Sequence, residues 1–333
     1  MAQDSDIPTF RIDLARSPED RYIDVAATFG PRIRTLGHVF DELLESMLGS
    51  KWLARIAKFL ARVFLRRVHD EEETREIRGF AKVAQCDLFL VVALNVFLDV
   101  MMGCTAGCVK VKGKRVQDER LMHFRTLDWG LDPLRDLVVV LEYVDSSKDP
   151  DHVIATSITY AGFMGVLTGV NAKQLAGIRS APCYLTLCDG NHAVVIEKDL
   201  LTGRLRENDR FIVQTNHDSC DATRCGTELR SEPVTPHPEL WLRDSNDRMD
   251  VISEKWSDHC STEASSDDEA VVVDDNKSSV KEETLREWMM DKRISNGFTH
   301  FACIMDPATG RVPWLRRGPA PEVKADVEDG VKE

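Results

Sequence analysis

The sequence predicts an α+β protein with layered sheets behind a helical N-terminal region. Three observations carry this expectation. Apolar residues recur at helical spacing through most of residues 1–103, and 88–102 is apolar nearly all round. After Cys104 the texture changes to short, β-branched runs punctuated by glycine, aspartate and asparagine. Helices first and strands afterwards, without regular βα alternation, is the α+β pattern.

Between Leu36 and Val68, Trp52, Leu53, Ile56, Phe59, Leu60, Val63 and Phe64 recur on one helical face, and Lys51, Arg55, Lys58, Arg62 and Arg66 on another. Segment 51–67 has two readings. It is either a helix packed on the body with its basic face in water, or a peripheral contact with an anionic membrane. HDEEETREIRGFAKVA starts a second helix, its acids suited to the positive end of the helix dipole. Asp87 can cap a third, LFLVVALNVFLDVMM, whose uniform hydrophobicity predicts burial. The strand candidates are GCVKVKG, LMHFRTLDW, LVVVLEYVD, HVIATSIT, PCYLTLCD, HAVVIEKD and RFIVQTN. Lys-Gly-Lys at 112–114 suits a hairpin turn, and THFACIMDPATGRVPWLRR reads as two strands around Pro-Ala-Thr-Gly. The serine-rich acidic stretch 261–283 is expected to be a disordered loop, and 318–333 a flexible tail.

Composition narrows the function classes. The chain has 333 residues, 43% of them apolar, enough for one large domain or two small ones. A net charge of −13 repels nucleic-acid backbones, and no nucleic-acid-binding motif argues otherwise. Nine cysteines without framework spacing suit a reducing compartment. The polar, acidic opening MAQDSDIPTFRIDLARSPEDRY does not read as a signal peptide, so the expectation is a cytoplasmic protein, with membrane association left open. His217, Cys220, Cys225, His259 and Cys260 match no common zinc spacing, so no metal site is expected. A G-x-S-x-G elbow, a Walker loop and a dinucleotide fingerprint are all lacking from the sequence.

MMGCTAGCVK, at 101–110, breaks the apolar run with a small cluster around Cys104. Cys104 is either a small buried residue at a strand start, or the residue behind a bond meant to be cut. Cleavage of Gly103–Cys104 would leave a thiol and an α-amine on one residue. Such an amine, with an ordinary pKa of about 7.7–8.0, can act as base to its own nucleophile.

CTAGCVKVKG followed by LMHFRTLDWG resembles the opening of the mature β chain in the acid ceramidase / N-acylethanolamine acid amidase family. YAGFMGVLTGVN, FIVQTNHD, RDSNDRMDVI and THFACIMDPATGRVPWLR follow in the family's order. Upstream, IPTFRIDLARSPEDRY and LFLVVALNVFLDVMMG are similar to its α-chain start and its last helix before the cut, so the resemblance spans most of residues 8–318. It implies a cysteine N-terminal-nucleophile hydrolase with a four-layer αββα core. Self-cleavage would give an α-chain, 1–103, and a catalytic β-chain, 104–333, that stay associated. The implied reaction is hydrolysis of the amide of ceramide or a fatty-acid ethanolamide through a Cys104 acyl-thioester, with no metal or organic cofactor. The implied site is Cys104 as nucleophile, Arg125 and Asp128 beside it, Asn216 as oxyanion donor and Arg248 as second arginine, with Arg243 as its near neighbour. Trp129 and Phe163 are candidates, by composition, to line an acyl-chain groove. The sequence departs from the family in two places. After Asn171 a segment of several dozen residues is missing, NAKQLAGIRSAP joining its flanks, and Ala106-Gly107 replaces a serine and an apolar residue. The alternative reading is therefore a catalytically inactive lipid- or membrane-binding relative, or a truncated gene product.

Overall fold

The computed structural model describes residues 7–68, 70–97, 103–113, 118–171, 183–198, 203–218, 238–265 and 279–319. It is an α+β structure with three sheets. The N-terminal region opens on a strand, not a helix: β1 (Thr9–Asp13) pairs in parallel with β4 (Val138–Val144). Four helices follow. α1 (Ile23–Leu48) ends where Gly49 adopts φ 61°, a left-handed C-cap that glycine takes without strain. The periodic stretch 36–68 is therefore two helices, and α2 (Lys51–Phe64) starts afresh after the break. α3 (Glu71–Ala84) is N-capped by Asp70, whose carboxylate accepts from the Glu73 amide at 2.9 Å, with three glutamates in its first turn as expected. α4 (Leu88–Phe97) is the buried apolar helix; residues 98–102 lie outside the described residues. Asp87 gives its carboxylate to Arg62 at 2.8 Å, and its backbone carbonyl accepts from Leu90.

Beyond Cys104, β2 (Gly103–Val111) and β3 (Arg120–Asp128) form a hairpin at the centre of a five-stranded sheet ordered β10-β2-β3-β11-β12. β10 is Phe211–Gln214, β11 Thr299–Asp306 and β12 Arg311–Arg317. The last two flank the Pro-Ala-Thr-Gly turn, where Gly310 has φ 67°. The four-stranded sheet runs β1-β4-β5-β6, with β5 at Ala155–Tyr160 and β6 at Thr168–Asn171. A small sheet, β7-β8-β9, comprises Cys183–Cys188, Ala193–Lys198 and Gly203–Asn208. β6 and β9 are strands beyond those expected from sequence, as are the helices α5 (Pro238–Ser265) and α6 (Glu282–Met289).

Strand alternation builds two cores from one sheet. On β11, Ala302 and Ile304 turn towards α5 and α6, meeting Ile252, Leu285 and Met289. Phe301, Cys303 and Met305 turn the other way, into a core shared with β4, β5 and helices α1, α3 and α4. The acidic stretch 261–283 is narrower as a loop than expected. Its first residues end α5, while Val280 is fully buried and bridges to Val111. Residues 266–278 and 320–333, the rest of the expected loop and tail, lie outside the described residues, as does 172–182, which holds most of the NAKQLAGIRSAP junction. Among the described residues no helix is long and apolar enough to cross a membrane.

Gly107 stands at a close approach that leaves no room for a side chain. A Cβ on Gly107 would stand 2.4 Å from the Ile212 carbonyl oxygen and 2.5 Å from the Phe124 ring, so β10 and Phe124 close over a residue without a side chain.

Candidate active site

Cys104 is the second residue of β2, held between strands at the sheet centre. On one side β3 supplies Leu127 as its register partner, with Asp128 opposite Gly103. On the other side the β10 ladder stops at Gln214, which pairs with Ala106. Two residues further along each strand, the ladder's place is taken by a side chain: Asn216 Oδ1 accepts the Cys104 N–H at 2.8 Å. The Asn216 backbone N–H in turn donates to Ser245 Oγ of α5 at 2.7 Å, so a helix fixes the residue that fixes the cysteine.

Two arginines converge on the same residue from opposite faces. Arg125, on β3, places Nη2 3.2 Å from the Cys104 sulfur, and its Nη1 donates to the Leu167 carbonyl at 2.5 Å. Arg248, on α5, is 2% exposed. Its Nη1 donates to the Cys104 carbonyl at 2.7 Å and to Thr105 Oγ1 at 2.8 Å, and Nη2 donates to Asn216 Oδ1 at 3.1 Å. Its charge is offset by Asp244 at 2.9 Å, one helical turn away, and by Asp128 at 3.6 Å. Arg243 is exposed, so of the two arginines weighed from sequence Arg248 is the one that reaches Cys104.

Asp128 is buried, accepting from Thr299 Oγ1 at 2.6 Å and from Thr126 Oγ1 at 3.3 Å. Burial pushes its carboxyl up to about 6, against the pull of the Arg248 guanidinium and the threonine hydroxyls. A carboxyl poised there can hold or give up a proton near neutrality. Next to Asn216, His217 Nδ1 lies 2.8 Å from Ser245 Oγ, and burial lowers the His217 pKa.

The structure thus brings Cys104, Arg125, Asp128, Asn216 and Arg248 into one cluster. Thr105, Thr126, Ser245 and Thr299 join it and were not anticipated. Ser245 had a legible signal, because it stands three residues before Arg248 and therefore on the same helix face. Trp129 is buried beside Tyr160, ring centroids 6.0 Å apart, and lines an apolar cavity with Ile33, Leu36 and Phe40 of α1 and Leu90 and Leu94 of α4. Phe163 is buried in the same core without lining that cavity. Of the weighed zinc set, Cys220 and Cys225 lie outside the described residues, and His259 Nε2 faces the Ser279 carbonyl at 3.1 Å.

Fold and site together define a mixed α+β protein built around one strand-borne cysteine, gripped by two arginines and an asparagine. The family model described as the beta subunit of N-acylethanolamine-hydrolyzing acid amidase matches residues 5–69. Among curated proteins, acid ceramidase of Heterocephalus glaber is 22% identical over 185 residues, 51% of this chain and 44% of that protein. An uncharacterized protein of Acanthamoeba polyphaga mimivirus is 22% identical over 170 residues, 51% of this chain and 48% of that protein. The chain spans about half the length of the curated relatives it matches. These matches support a relation to the acid ceramidase / N-acylethanolamine acid amidase family.

Proposed function

We propose that this protein is a lipid amidase that severs its own Gly103–Cys104 bond and then hydrolyses the amide of ceramide or a fatty-acid ethanolamide. The observation that carries the reading is the convergence of Arg125, Asn216 and Arg248 on the sulfur, nitrogen and carbonyl of one residue, Cys104. The two faces of the five-stranded sheet, one against α5 and α6 and the other against a core shared with the second sheet, support a four-layer αββα arrangement. The family model named for a beta subunit matches residues 5–69, upstream of the proposed cut and so within the segment read as the α-chain.

In the first reaction the Cys104 sulfur attacks the Gly103 carbonyl carbon. A C–S bond forms, the C–N bond breaks, and the departing nitrogen takes the thiol proton. Water then hydrolyses the thioester, leaving a carboxylate on Gly103 and a free thiol and amine on Cys104. Asn216 Oδ1, which accepts the Cys104 N–H in the intact chain, holds the new amine in the same place. In the second reaction the thiol proton passes through that amine to the leaving amine of the lipid as the acyl-thioester forms. Water then attacks the thioester carbon and gives a proton to the amine; the C–O bond forms, the C–S bond breaks, the amine returns that proton to the sulfur, and the fatty acid leaves. Arg125 offers positive charge to the sulfur, and Arg248 locks the Cys104 carbonyl so that the residue cannot turn. The apolar cavity beside Trp129 is the candidate entrance for the acyl chain.

The test is intact mass and a lipid-amide assay on wild type and Cys104→Ala. Wild type is expected as two chains with new termini at 103 and 104, active on ceramide or an N-acylethanolamine, and Cys104→Ala as one inactive chain. Wild type that stays a single chain and leaves both amides intact would identify a non-catalytic relative.

A further inference from the structure

Away from the Cys104 site, two further cysteines meet where the small sheet packs on the central one. On β2, Cys104 and Cys108 are an even number of residues apart, so both turn to the face opposite α5 and α6, while Val109 and Val111 turn towards those helices. Cys108 is fully buried, packed with Leu121 and Ile212 of the central sheet and with Ala193 and Val195 of the small one. Cys188, the last residue of β7, is half-buried and packs on the same cluster. The Cys108 thiol donates a hydrogen bond to the Cys188 sulfur.

Backbone holds both sulfurs in place. Cys108 lies between two strands, in register with Ile212 on β10 and His123 on β3. Just beyond Cys188 the chain turns at Gly190, which has φ 97°. The Gly190 N–H donates to Cys188 Sγ at 3.4 Å, and its carbonyl accepts from the Leu121 N–H at 2.8 Å, so the turn that carries Cys188 is tied to β3. The two thiols are unequal. The hydrogen bonds from Cys108 and from the Gly190 N–H hold Cys188 below the ordinary thiol value, against the effect of burial. Burial pushes Cys108 well above it. One member of the pair is thus suited to attack as thiolate, and the other waits beside it as thiol. Burial also pushes Cys86 up to about 11 and Cys303 to about 12, so neither competes as a nucleophile.

We propose that Cys108 and Cys188 are an oxidisable dithiol that closes into a disulfide staple on reaction with a low-molecular-weight disulfide such as glutathione disulfide. The Cys188 thiolate attacks one glutathione sulfur. A mixed disulfide forms, the glutathione S–S bond breaks, and one glutathione leaves with the proton that Cys188 had released. Cys108 then attacks the Cys188 sulfur, and the second glutathione leaves with the Cys108 proton. Two protein thiols are oxidised and one glutathione disulfide is reduced to two thiols. The new bond fixes the small sheet to the strand that carries Cys104. It closes a ring of roughly 80 residues, a length at which restricting the unfolded chain stabilises the folded one. The staple is independent of amide hydrolysis.

The test is incubation of the reduced full chain with glutathione disulfide, followed by intact mass and non-reducing peptide mapping. Wild type and Cys104→Ala are compared, the second removing the proposed nucleophile from competition. In both, a linked pair of peptides carrying Cys108 and Cys188 is expected, lighter by two hydrogens than the free thiols and released by dithiothreitol. Cys108→Ala is expected to stop at a glutathione adduct on Cys188, and Cys188→Ala to leave Cys108 unmodified. In Cys104→Ala protein, oxidation is expected to raise the melting temperature by about 2 °C or more, and the further substitution Cys108→Ala to abolish that rise. Absence of the 108–188 link, or a glutathione adduct on Cys108 in Cys188→Ala protein, would overturn the proposal. So would a linked protein that melts no higher than its reduced form.

Discussion

At the scale of single residues, Asn216 makes a sharp prediction. Its side-chain oxygen faces two donors, the Cys104 N–H and the Arg248 guanidinium, so hydrogen-bond chemistry fixes which end of the amide is which. The NH₂ end is then the donor for an oxyanion. Asn216→Asp keeps the acceptor that holds Cys104 and removes the donor. It is expected to lower turnover by ~10²–10³-fold, measured per processed molecule by steady-state assay. Glu76 predicts a pH effect. It lies 2.8 Å from Arg21, which it shares with Glu72, and burial pushes its carboxyl up to about 7 against the pull of that arginine. Its folded pKa exceeds the ordinary value of 4.5, so its contribution to stability is complete below that value and is lost as pH rises through about 7. Asp128 contributes with the same sign, up to about 6. Melting temperature is expected to fall between about pH 5 and about pH 8, and Glu76→Gln to flatten that slope. Cys104 was legible in sequence because it breaks an apolar run with a small cluster; Arg125 and Asp128 came only with the family resemblance, on a strand that a hairpin brings beside it. Asn216 and Arg248 emerged only from the shared order of motifs, since more than a hundred residues separate them from Cys104. Thr299, from a strand still further along, left no local trace.

At the scale of elements, close backbone approach matters more than hydrophobic pattern. α3 passes so near the turn at Pro18–Asp20 that a Cβ on Gly79 would stand 2.0 Å from the Glu19 carbonyl oxygen. Gly79→Ala gains helix propensity yet is expected to destabilise by ~1–3 kcal/mol, because backbone must move to admit one methyl. Thermal or denaturant unfolding measures it. The helices α3 and α4 were readable from an acidic first turn and an unbroken apolar run, each a property of a few neighbouring residues. The α1–α2 break was not read, because a lone glycine also occurs inside helices. Nor did periodicity reveal the orientation of α2. Spacing says which side chains share a face, and only tertiary packing decides that Ala54 and Ala61 turn inward. β6, β9 and the long α5 escaped for a related reason. Their residues are polar or sit among turn-formers, and α5 presents only a narrow apolar stripe, including Val251 and Ile252, to the sheet.

At the scale of the whole molecule, the change of texture at Cys104 correctly announces the strand-rich body, but the two parts are not side by side. β1, from before the proposed cut, is an edge of the same sheet as β4, β5 and β6, from after it. α1, α3 and α4 share one core with β4, β5 and β11. After cleavage the fragments 1–103 and 104–333 are expected to co-elute in native size-exclusion chromatography and to separate only in denaturant. The parallel pairing of Thr9–Asp13 with Val140–Val144 has a further consequence for the life of the protein. An unbroken precursor finds that pairing by a first-order search within one chain, at a rate indifferent to dilution. Once the link is severed, recovery from denaturation becomes an encounter between two molecules and slows as protein grows scarce. Maturation would therefore leave an assembly that survives by slow unfolding rather than by ready repair.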